Sequence, residues 1–435
     1  MLLPGYVIQI IETIERHGFQ AYLVGGCVRD MILDRQPRDY DIVTSAEPVE
    51  ITRIFAKTLE VGAKFGTIIV VMDGQTAEIS SFRGHSATGG SAAEILEDDL
   101  SRRDFTINAI AMDLKGKLYD PWGGQTDIRR RLVRATRGEA AALFTEDPLR
   151  MMRAVRLCVS YGFDIESSTL EAITKLIHLI PNVSVERIRD ELNEMLASDE
   201  PSRAIRMMHQ SGILNYVLPE VEVMFAFDQR NPRHDRDLFE HTLAVVDGVP
   251  NKINLRLGAL LHDIAKPICF TVDESGRGHF YGHAEEGGKM AEAIMRRLKY
   301  DNQSIEEVKT LVAEHMSQFA KPTGAGLKRL INRVSERNMG DLFSMQRADI
   351  KASAPPHDYQ ELDRIIEETA NILSGPHPMT VKDLAVNGHD LMKIGFAPGP
   401  ELGKTLNHLL LMVFENPDLN RPDLLLDLAK SLSTS

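Results

Sequence analysis

Cysteine is scarce in this chain of 435 residues: Cys27, Cys158 and Cys269 stand far apart, and no two share a Cys-x-x-Cys spacing. That excludes a disulfide framework and a structural zinc knuckle, and a reducing compartment, the cytoplasm, is the expectation. Long apolar runs are missing as well. No stretch approaches the roughly 20 consecutive apolar residues of a membrane span. The opening MLLPGYVIQIIETIERHG mixes acids and bases on an amphipathic helical pattern, without the basic start and unbroken apolar core of a signal peptide. Positive charge is in deficit overall, with a formal net charge of −13. A general coat for nucleic acid would present Lys and Arg together, so any contact with RNA must be local. Low-complexity tracts and internal repeats are absent too. No obligate protein partner is evident.

What is present is a multidomain composition: 43% hydrophobic and 26% charged over a length too great for one core, which predicts two to four domains. Basic residues do concentrate locally. Between Ser101 and Ser160 there are 12 Lys/Arg against 7 Asp/Glu, a net of +5 inside an acidic protein. Short strand-like runs, AYLVGG, DYDIVT, GTIIVVM, AEISSF and TINAIAMDL, are interrupted by Gly and Asp turn signals and predict a mixed sheet with helices in the first ~130 residues. From about Ala135 the strand pattern stops. Segments such as PLRMMRAVRLCVSYG, INLRLGALLHDIAK and EEGGKMAEAIMRRLKY carry apolar residues at spacings of three and four, so the remainder is expected to be nearly all helical. The fold class is therefore α+β, with a sheet-containing head on a helical body.

The first chemical constellation is LVGGCVRD followed by RDYDIVT. A strand ending in Gly25-Gly26 lets backbone approach a phosphate closely, and Arg29 follows on the next helix. Asp39 and Asp41 alternate with Tyr40, so both carboxylates project from one face and can share divalent ions, Mg2+ being suited to hard oxygen ligands. The pair resembles the opening signature of the polymerase-β-like nucleotidyltransferase superfamily, and that resemblance implies a third carboxylate from a later strand, for which Glu78 in AEISSFR is the candidate. In LSRRDFTINAIAMD, Arg102 and Arg103 suit phosphate contacts through their forked donors, while Asp104 and Asn108 either orient the loop or touch ribose. Together with DPWGGQTDIRRRLVR, these motifs make residues 20 to 230 resemble the class II tRNA nucleotidyltransferase and bacterial poly(A) polymerase family, and DLAVNGHDLMKIGFAPGPELGKTL resembles the tail of the same family.

The third constellation, LFTEDPLRMMRAVRLC, contains the family's E-D-x-x-R pattern as Glu146, Asp147 and Arg150, continued by Arg153 and Arg156. On one helix, Asp147 and Arg150 would be neighbours. An Asp accepts from the exocyclic amino group of cytosine or adenine, and an Arg donates to the adjacent ring nitrogen or carbonyl. Uracil and guanine place an acceptor where the Asp needs a donor. The resemblance thus implies selection of CTP and ATP by side chains, with Gly25, Gly26, Arg29, Arg103, Asp104, Asn108, Asp147, Arg150, Arg153 and Arg156 binding nucleotide and Asp39, Asp41 and Glu78 catalytic.

A fourth constellation is independent of the others. His241, His262-Asp263, His283, His315 and Asp349 follow the order H…HD…H…H…D, which resembles the complete HD phosphohydrolase signature. Imidazoles and carboxylates from several helices can enclose one or two divalent ions, Mg2+ or a transition metal, and activate water; Lys266 is placed to assist at the phosphate. The resemblances divide the chain into a nucleotidyltransferase head (1–135), a helical neck with the base-reading helix and a tRNA-binding region (136–230), an HD domain (231–355) and an RNA-binding helical tail (356–435).

The function implied is addition of C residues, CC or full CCA, to the tRNA 3′ end from CTP and ATP by a two-metal mechanism, with repair of damaged RNA ends by the HD domain. A poly(A) polymerase remains an alternative within that class. The other alternative is a phosphohydrolase or RNA-binding protein with a vestigial head, although the head keeps its carboxylates. CCA-adding members usually carry a loop patterned D-G-x-Y-x-D-x-R-x-P before the Arg-Arg-Asp motif. Here only GHSATGGSAAEILEDDLS stands between Arg83 and Arg102, and that loss resembles the CC-adding members.

Overall fold

The computed structural model describes residues 3–60, 67–82, 92–138, 140–231, 236–375 and 378–433. Two compact units emerge: Met1–Met195 with Met207–Tyr216, and Leu196–Arg206 with Val217–Ser435. The first contains the mixed sheet and its helices; the second is almost entirely helical, so the class is α+β.

In the first unit, seven strands are β1 (Ala21–Val24), β2 (Asp41–Thr44), β3 (Thr58–Glu60), β4 (Thr67–Met72), β5 (Gln75–Ser81), β6 (Ala111–Met112) and β7 (Leu118–Tyr119). They lie in the order β3-β4-β5-β2-β1-β6-β7. The central strand β2 runs parallel to β5 and antiparallel to β1. Its apolar run is buried without alternation, as a central strand covered on both faces requires. In β5, by contrast, Ala77 and Ile79 turn inward while Thr76 and Glu78 face out. The helix Gly5–Arg16 buries Val7, Ile10, Ile11 and Ile14, one stripe of its surface. Helix Ala92–Ser101 adds Leu96 and Leu100 to a core with Val24, Val43, Phe82, Ala109 and Ala111.

The expected strand TINAIAMDL is strand only at Ala111–Met112, and Thr106–Asn108 forms a 3-10 turn instead. Side-chain hydrogen bonds outcompete the ladder there: Asp104 accepts from the Phe105 N–H at 2.8 Å and from Asn108 Nδ2 at 3.0 Å. Strand pairing also does not end at Ala135. Leu132–Val133 pairs in parallel with Asp164–Ile165, and the second unit holds a hairpin of Thr271–Val272 with Gly278–His279.

The second unit stacks Leu238–Gly248, Ile253–Leu261, His283–Arg297, Asn302–Glu314 and Glu336–Ala352 against one another. Toward the C-terminus, Pro400–Glu415 and Pro422–Ser433 close a separate core of Leu391, Leu406, Leu409, Leu410, Val413, Phe414 and Leu425. Among the described residues no helix is long and apolar enough to cross a membrane.

The DPWGGQTDIRRRLVR motif serves as a clamp on the head. Asp120 accepts from the Gly124 N–H at 2.6 Å and the Gln125 N–H at 2.9 Å, starting the helix Gly124–Arg130. Asp127, buried, accepts from Thr106 Oγ1 at 2.6 Å and from Arg134 Nε at 2.9 Å. The helix comes so close to the 3-10 turn that a Cβ on Gly124 would lie 2.1 Å from the Thr106 carbonyl oxygen. Gly124→Ala will therefore force backbone apart and cost about 1–3 kcal/mol. Gly5→Ala, where a Cβ meets nothing within 4 Å, will stay within about 0.5 kcal/mol. Thermal unfolding followed by near-UV circular dichroism separates the two, and equal midpoints would contradict this account of the motif.

Candidate functional site

The register of three strands assembles the first site. Asp41 opens β2 opposite Val24 on one side and Glu78 on the other. Tyr40 is buried, and the exposed Asp39 and half-buried Asp41 flank it in sequence. Burial pushes the Asp41 carboxyl up to about 6, with the negative charges of Asp39 and Glu78 adding to the shift and Arg103 and Arg29 opposing it. Carboxylates that raise one another's pKa in this way are eased by a cation, and an all-oxygen donor set is the chemistry that Mg2+ takes.

Gly25 follows β1 directly, at φ 75°, and begins the turn into helix Gly26–Ile32. A Cβ there would lie 3.2 Å from Arg103 Nη1 and 3.5 Å from Asp41 Oδ2, so glycine leaves the space between the guanidinium and the carboxylate open. Asp99, one helical turn before Arg103, accepts from its Nε at 3.3 Å and its Nη2 at 3.2 Å and fixes the fork. Gly26 gives similar room beside Arg29 Nη2 at 3.3 Å.

Arg29 is buried and committed on every side. It donates to Asp30 Oδ1 at 3.0 and 2.9 Å, to Asn108 Oδ1 at 2.6 Å and to the Tyr161 hydroxyl, and it lies 4.0 Å from the Tyr161 ring centroid. The chain of contacts continues from Asn108 to Asp104, which also accepts from Arg153 Nε at 2.9 Å. Burial alone would raise the Asp104 carboxyl; Arg153 and the hydrogen bonds from Asn108 and Phe105 bring it below its ordinary value. These contacts tie the 3-10 turn to helix Leu149–Tyr161.

The LFTEDPLRMMRAVRLC segment differs from the single helix expected. Ala140–Glu146 and Leu149–Tyr161 are separate helices, and Asp147 with Pro148 occupies the break. Pro148 has no N–H to continue the first helix, and Asp147 Oδ1 accepts the Leu149 N–H at 3.2 Å. Asp147 and Arg150 thus flank Pro148 within one turn, the Arg150 N–H donating to the Asp147 carbonyl at 3.1 Å. Asp147 is gripped in bidentate fashion by Arg187, from Val185–Leu196, at 3.2 and 2.7 Å. Arg150 donates to Glu146 Oε2 at 2.6 Å and to the Leu143 carbonyl at 3.2 Å. Arg156 pairs with Glu191 at 2.6 Å. Arg187 and Glu191 escaped the sequence reading because 40 and 35 residues separate them from their partners. The loop of Gly84–Ala93 lies outside the described residues from 83 to 91; Ala92 and Ala93 begin the helix Ala92–Ser101.

In the second unit, six side chains from five helices or helix ends converge. His241 lies on Leu238–Gly248, His262 and Asp263 follow Ile253–Leu261, His283 begins its helix, His315 ends Asn302–Glu314, and Asp349 lies on Glu336–Ala352. Asp263 faces both halves of the cluster. Its Oδ2 is 3.0 Å from His262 Nε2 and 3.7 Å from His241 Nε2, while its Oδ1 is 3.4 Å from His283 Nε2 and 3.6 Å from His315 Nε2. Asp349 Oδ1 approaches His241 Nε2 at 3.1 Å.

The other nitrogen of each ring settles its orientation. Nδ1 of His262, His283, His315 and His241 faces the carbonyls of Ala259, Phe280, Val312 and Ala352 at 2.8, 2.7, 2.7 and 3.4 Å. A carbonyl only accepts, so each Nδ1 carries a proton and Nε2 is the nitrogen turned inward; burial opposes a charge on His262, but Asp263 and Asp349 raise its affinity for a second proton. His283 Nε2 and His315 Nε2 stand 3.3 Å apart, a repulsive arrangement for two lone pairs that a shared cation relieves. Burial lowers the affinity of His315 for a proton, which favours the neutral ligand form. Ligand atoms of His241, His262 and Asp263, and of Asp263, His283 and His315, lie within 4.8 Å of one another in each trio. This donor set fits one or two divalent cations.

Residues 21–134 match the poly A polymerase head domain model, 162–225 the model described as a probable RNA and SrmB-binding site of polymerase A, and 283–429 a putative tRNA nucleotidyltransferase domain 2. The CCA-adding enzyme of Geobacillus sp. (strain WCH70) is 42% identical over 215 residues, 48% of this chain and about half of that enzyme, 53%. That of Lactobacillus helveticus is 30% identical over 436 residues, 97% of this chain and 96% of its own. The crystal structure of the Bacillus stearothermophilus CCA-adding enzyme in complex with CTP superposes with a TM-score of 0.71 at 29% identity, covering 96% of this chain and 94% of that one. Similarity of this extent, running from the carboxylate-bearing strands to the last helices, places the chain in the CCA-adding enzyme family of tRNA nucleotidyltransferases.

Proposed function

We propose that this protein adds cytidines to the 3′ end of tRNA, from CTP for a CC end and from CTP and ATP for a full CCA end, through the site built from Asp39, Asp41 and Glu78. The observation that carries the reading is the strand register placing Asp41 between Val24, just before the Gly25 turn, and Glu78. Magnesium held by these carboxylates would lower the pKa of the RNA 3′-hydroxyl and neutralise charge at the α-phosphate and the leaving pyrophosphate. Gly25 leaves room for a phosphate beside Asp41, and Arg103, braced by Asp99, directs Nη1 toward it. Arg29, Asn108, Asp104 and Arg153 hold the surrounding loop in place, so that the reacting groups meet in a fixed geometry.

Restriction to two cytidines, without the terminal adenosine, rests on the sequence GHSATGGSAA at 84–93, which has small residues in place of the charged and aromatic loop pattern. Incubating the protein with tRNA lacking its CCA end, with CTP and ATP, and sequencing the products will give ends extended by CC. Complete CCA ends would remove that restriction and keep the transferase. Long adenosine tails would favour a poly(A) polymerase. Asp39→Ala or Asp41→Ala will lower incorporation by at least about 10²-fold with the fold intact, and near-normal incorporation in either would remove the site.

Base choice is assigned to Asp147 and Arg150, with Arg187 setting the direction of the Asp147 carboxylate. Asp147→Ala will relax discrimination against UTP by about 10-fold or more while slowing the chemical step less. Measured kcat/KM ratios for CTP against UTP that match wild type would sink this role.

The six-residue centre of the second unit is read as a metal-dependent phosphohydrolase acting on RNA ends such as 2′,3′-cyclic phosphates. Its divalent cation would supply an activated water; Asp263 and Asp349 provide the carboxylates, and the Nδ1–carbonyl contacts keep four imidazoles aimed inward. His262→Gln and Asp263→Asn will eliminate hydrolysis of a 2′,3′-cyclic nucleotide in manganese, nickel, magnesium or iron and spare nucleotide addition. Absence of hydrolysis in the unaltered protein with all four metals would leave the centre a structural one.

A further inference from the structure

Next to the six-residue centre is a polar pair that the motif order does not include. Lys266 is 5% exposed, and its Nζ lies 2.7 Å from Asp263 Oδ2 and donates to Gln229 Oε1 at 2.9 Å. Gln229 is 2% exposed, and its amide nitrogen has no hydrogen-bond partner among the described residues. Turning the amide over does not help. Lysine only donates, so the amide oxygen must face Nζ and the two N–H bonds must face elsewhere. A buried donor in that position calls for an acceptor beyond the described residues.

The backbone around Gln229 is held firmly. Gly278 N–H donates to the Arg230 carbonyl at 2.8 Å, and Asn231 Nδ2 donates to the Gly278 carbonyl at 3.3 Å. A Cβ on Gly278 would lie 2.2 Å from the Gln229 carbonyl oxygen, so only glycine lets the hairpin press this close. Phe227, Phe270 and Phe280 form an apolar wall, with ring centroids 5.3 and 5.5 Å apart, and the Lys266 ammonium lies 5.2 Å from the Phe280 centroid. A fixed amide donor and a cation share this apolar recess, with Asp263 as their link to the centre.

We propose that Gln229 and Lys266 form an anion subsite of the histidine–aspartate centre that takes a phosphoryl oxygen of the substrate, the ammonium supplying charge and the amide N–H direction. The subsite deepens the phosphohydrolase reading and rests on it for the identity of the anion. Lys266 divides its three N–H bonds between Asp263, Gln229 and the ligand. Gln229 contacts the ligand directly and holds Lys266 in line. No sequence spacing marks it, because it lies 12 residues before the first histidine, in a segment without a regular element.

The test uses the full chain carrying Asp39→Ala and Asp41→Ala, so that the transferase carboxylates do not take up metal. Manganese and inorganic phosphate binding are measured by equilibrium dialysis, alone and together, and compared with the same chain carrying Gln229→Leu or Gln229→Glu. Gln229→Glu keeps the acceptor for Lys266 and replaces only the N–H donor by an oxygen, so it guards against loss of the fold. The expected result is phosphate affinity at least about tenfold weaker in both variants, more so in Gln229→Glu, with manganese affinity unchanged. Phosphate binding that is the same in all three chains overturns the subsite. Failure of manganese to bind, with phosphate still dependent on Gln229, removes the metal reading and leaves the subsite standing.

Discussion

Pairing β2 in parallel with β5, and antiparallel with β1, is the constraint on which the first site depends. It brings the strand end that turns into Gly25 next to Asp41, and Glu78 next to Asp41 on the other side. The charges so gathered are unfavourable by themselves, as the elevated Asp41 carboxyl records. The fold bears this strain because Ile42, Val43 and Ile79, buried on the same two strands, hold the register. A one-residue slip would turn Ile79 and Ala77 of the alternating strand β5 outward and move Glu78 away from Asp41. The packing of the sheet and the arrangement of the carboxylates are thus set by the same ladder.

Around this ladder, polar contacts substitute for regular structure. The turn at Thr106–Asn108 makes no strand, yet it is fixed from three directions: by Asp127 through Thr106, by Arg29 through Asn108 and by Arg153 through Asp104. Several arginines that look available for phosphate in the sequence are therefore already paired. Arg29, Arg153 and Arg156 each have a carboxylate or amide partner, most of it out of solvent, where a charge-assisted bond is stronger than on the surface. Arg103 is different, because its braced fork leaves Nη1 beside Gly25.

The histidine–aspartate centre of the second unit is organised by backbone rather than by charge. Each imidazole takes its tautomer from a carbonyl, three of them from the residue three positions earlier, at a helix start or end. Helix termini have unsatisfied carbonyls to offer, so His262 and His315 at the ends of their helices find partners without further side chains. Asp263, lying between the two histidine groups, is kept ionised: burial opposes the charge, but His262 and Lys266 hold its carboxyl well below the usual range.

By itself the sequence determined the division into a sheet-containing head and a helical remainder, and the chemistry-bearing residue types. Strand alternation, helical spacing and Gly/Asp punctuation predict the α+β division, and the paired aspartates and the H…HD…H…H…D order name side chains that the structure brings together, because local periodicity and short motifs are local properties. Tertiary structure alone decided which of those side chains remain available. Asp147 sits in a helix break facing Arg187, Arg29 is consumed by Asn108 and Tyr161, and Gln229 acquires its place beside Lys266 through a glycine in a distant hairpin. These pairings join residues 37 to 132 positions apart, and no spacing rule spans such separations, since they are fixed only when the packed elements exclude every other partner.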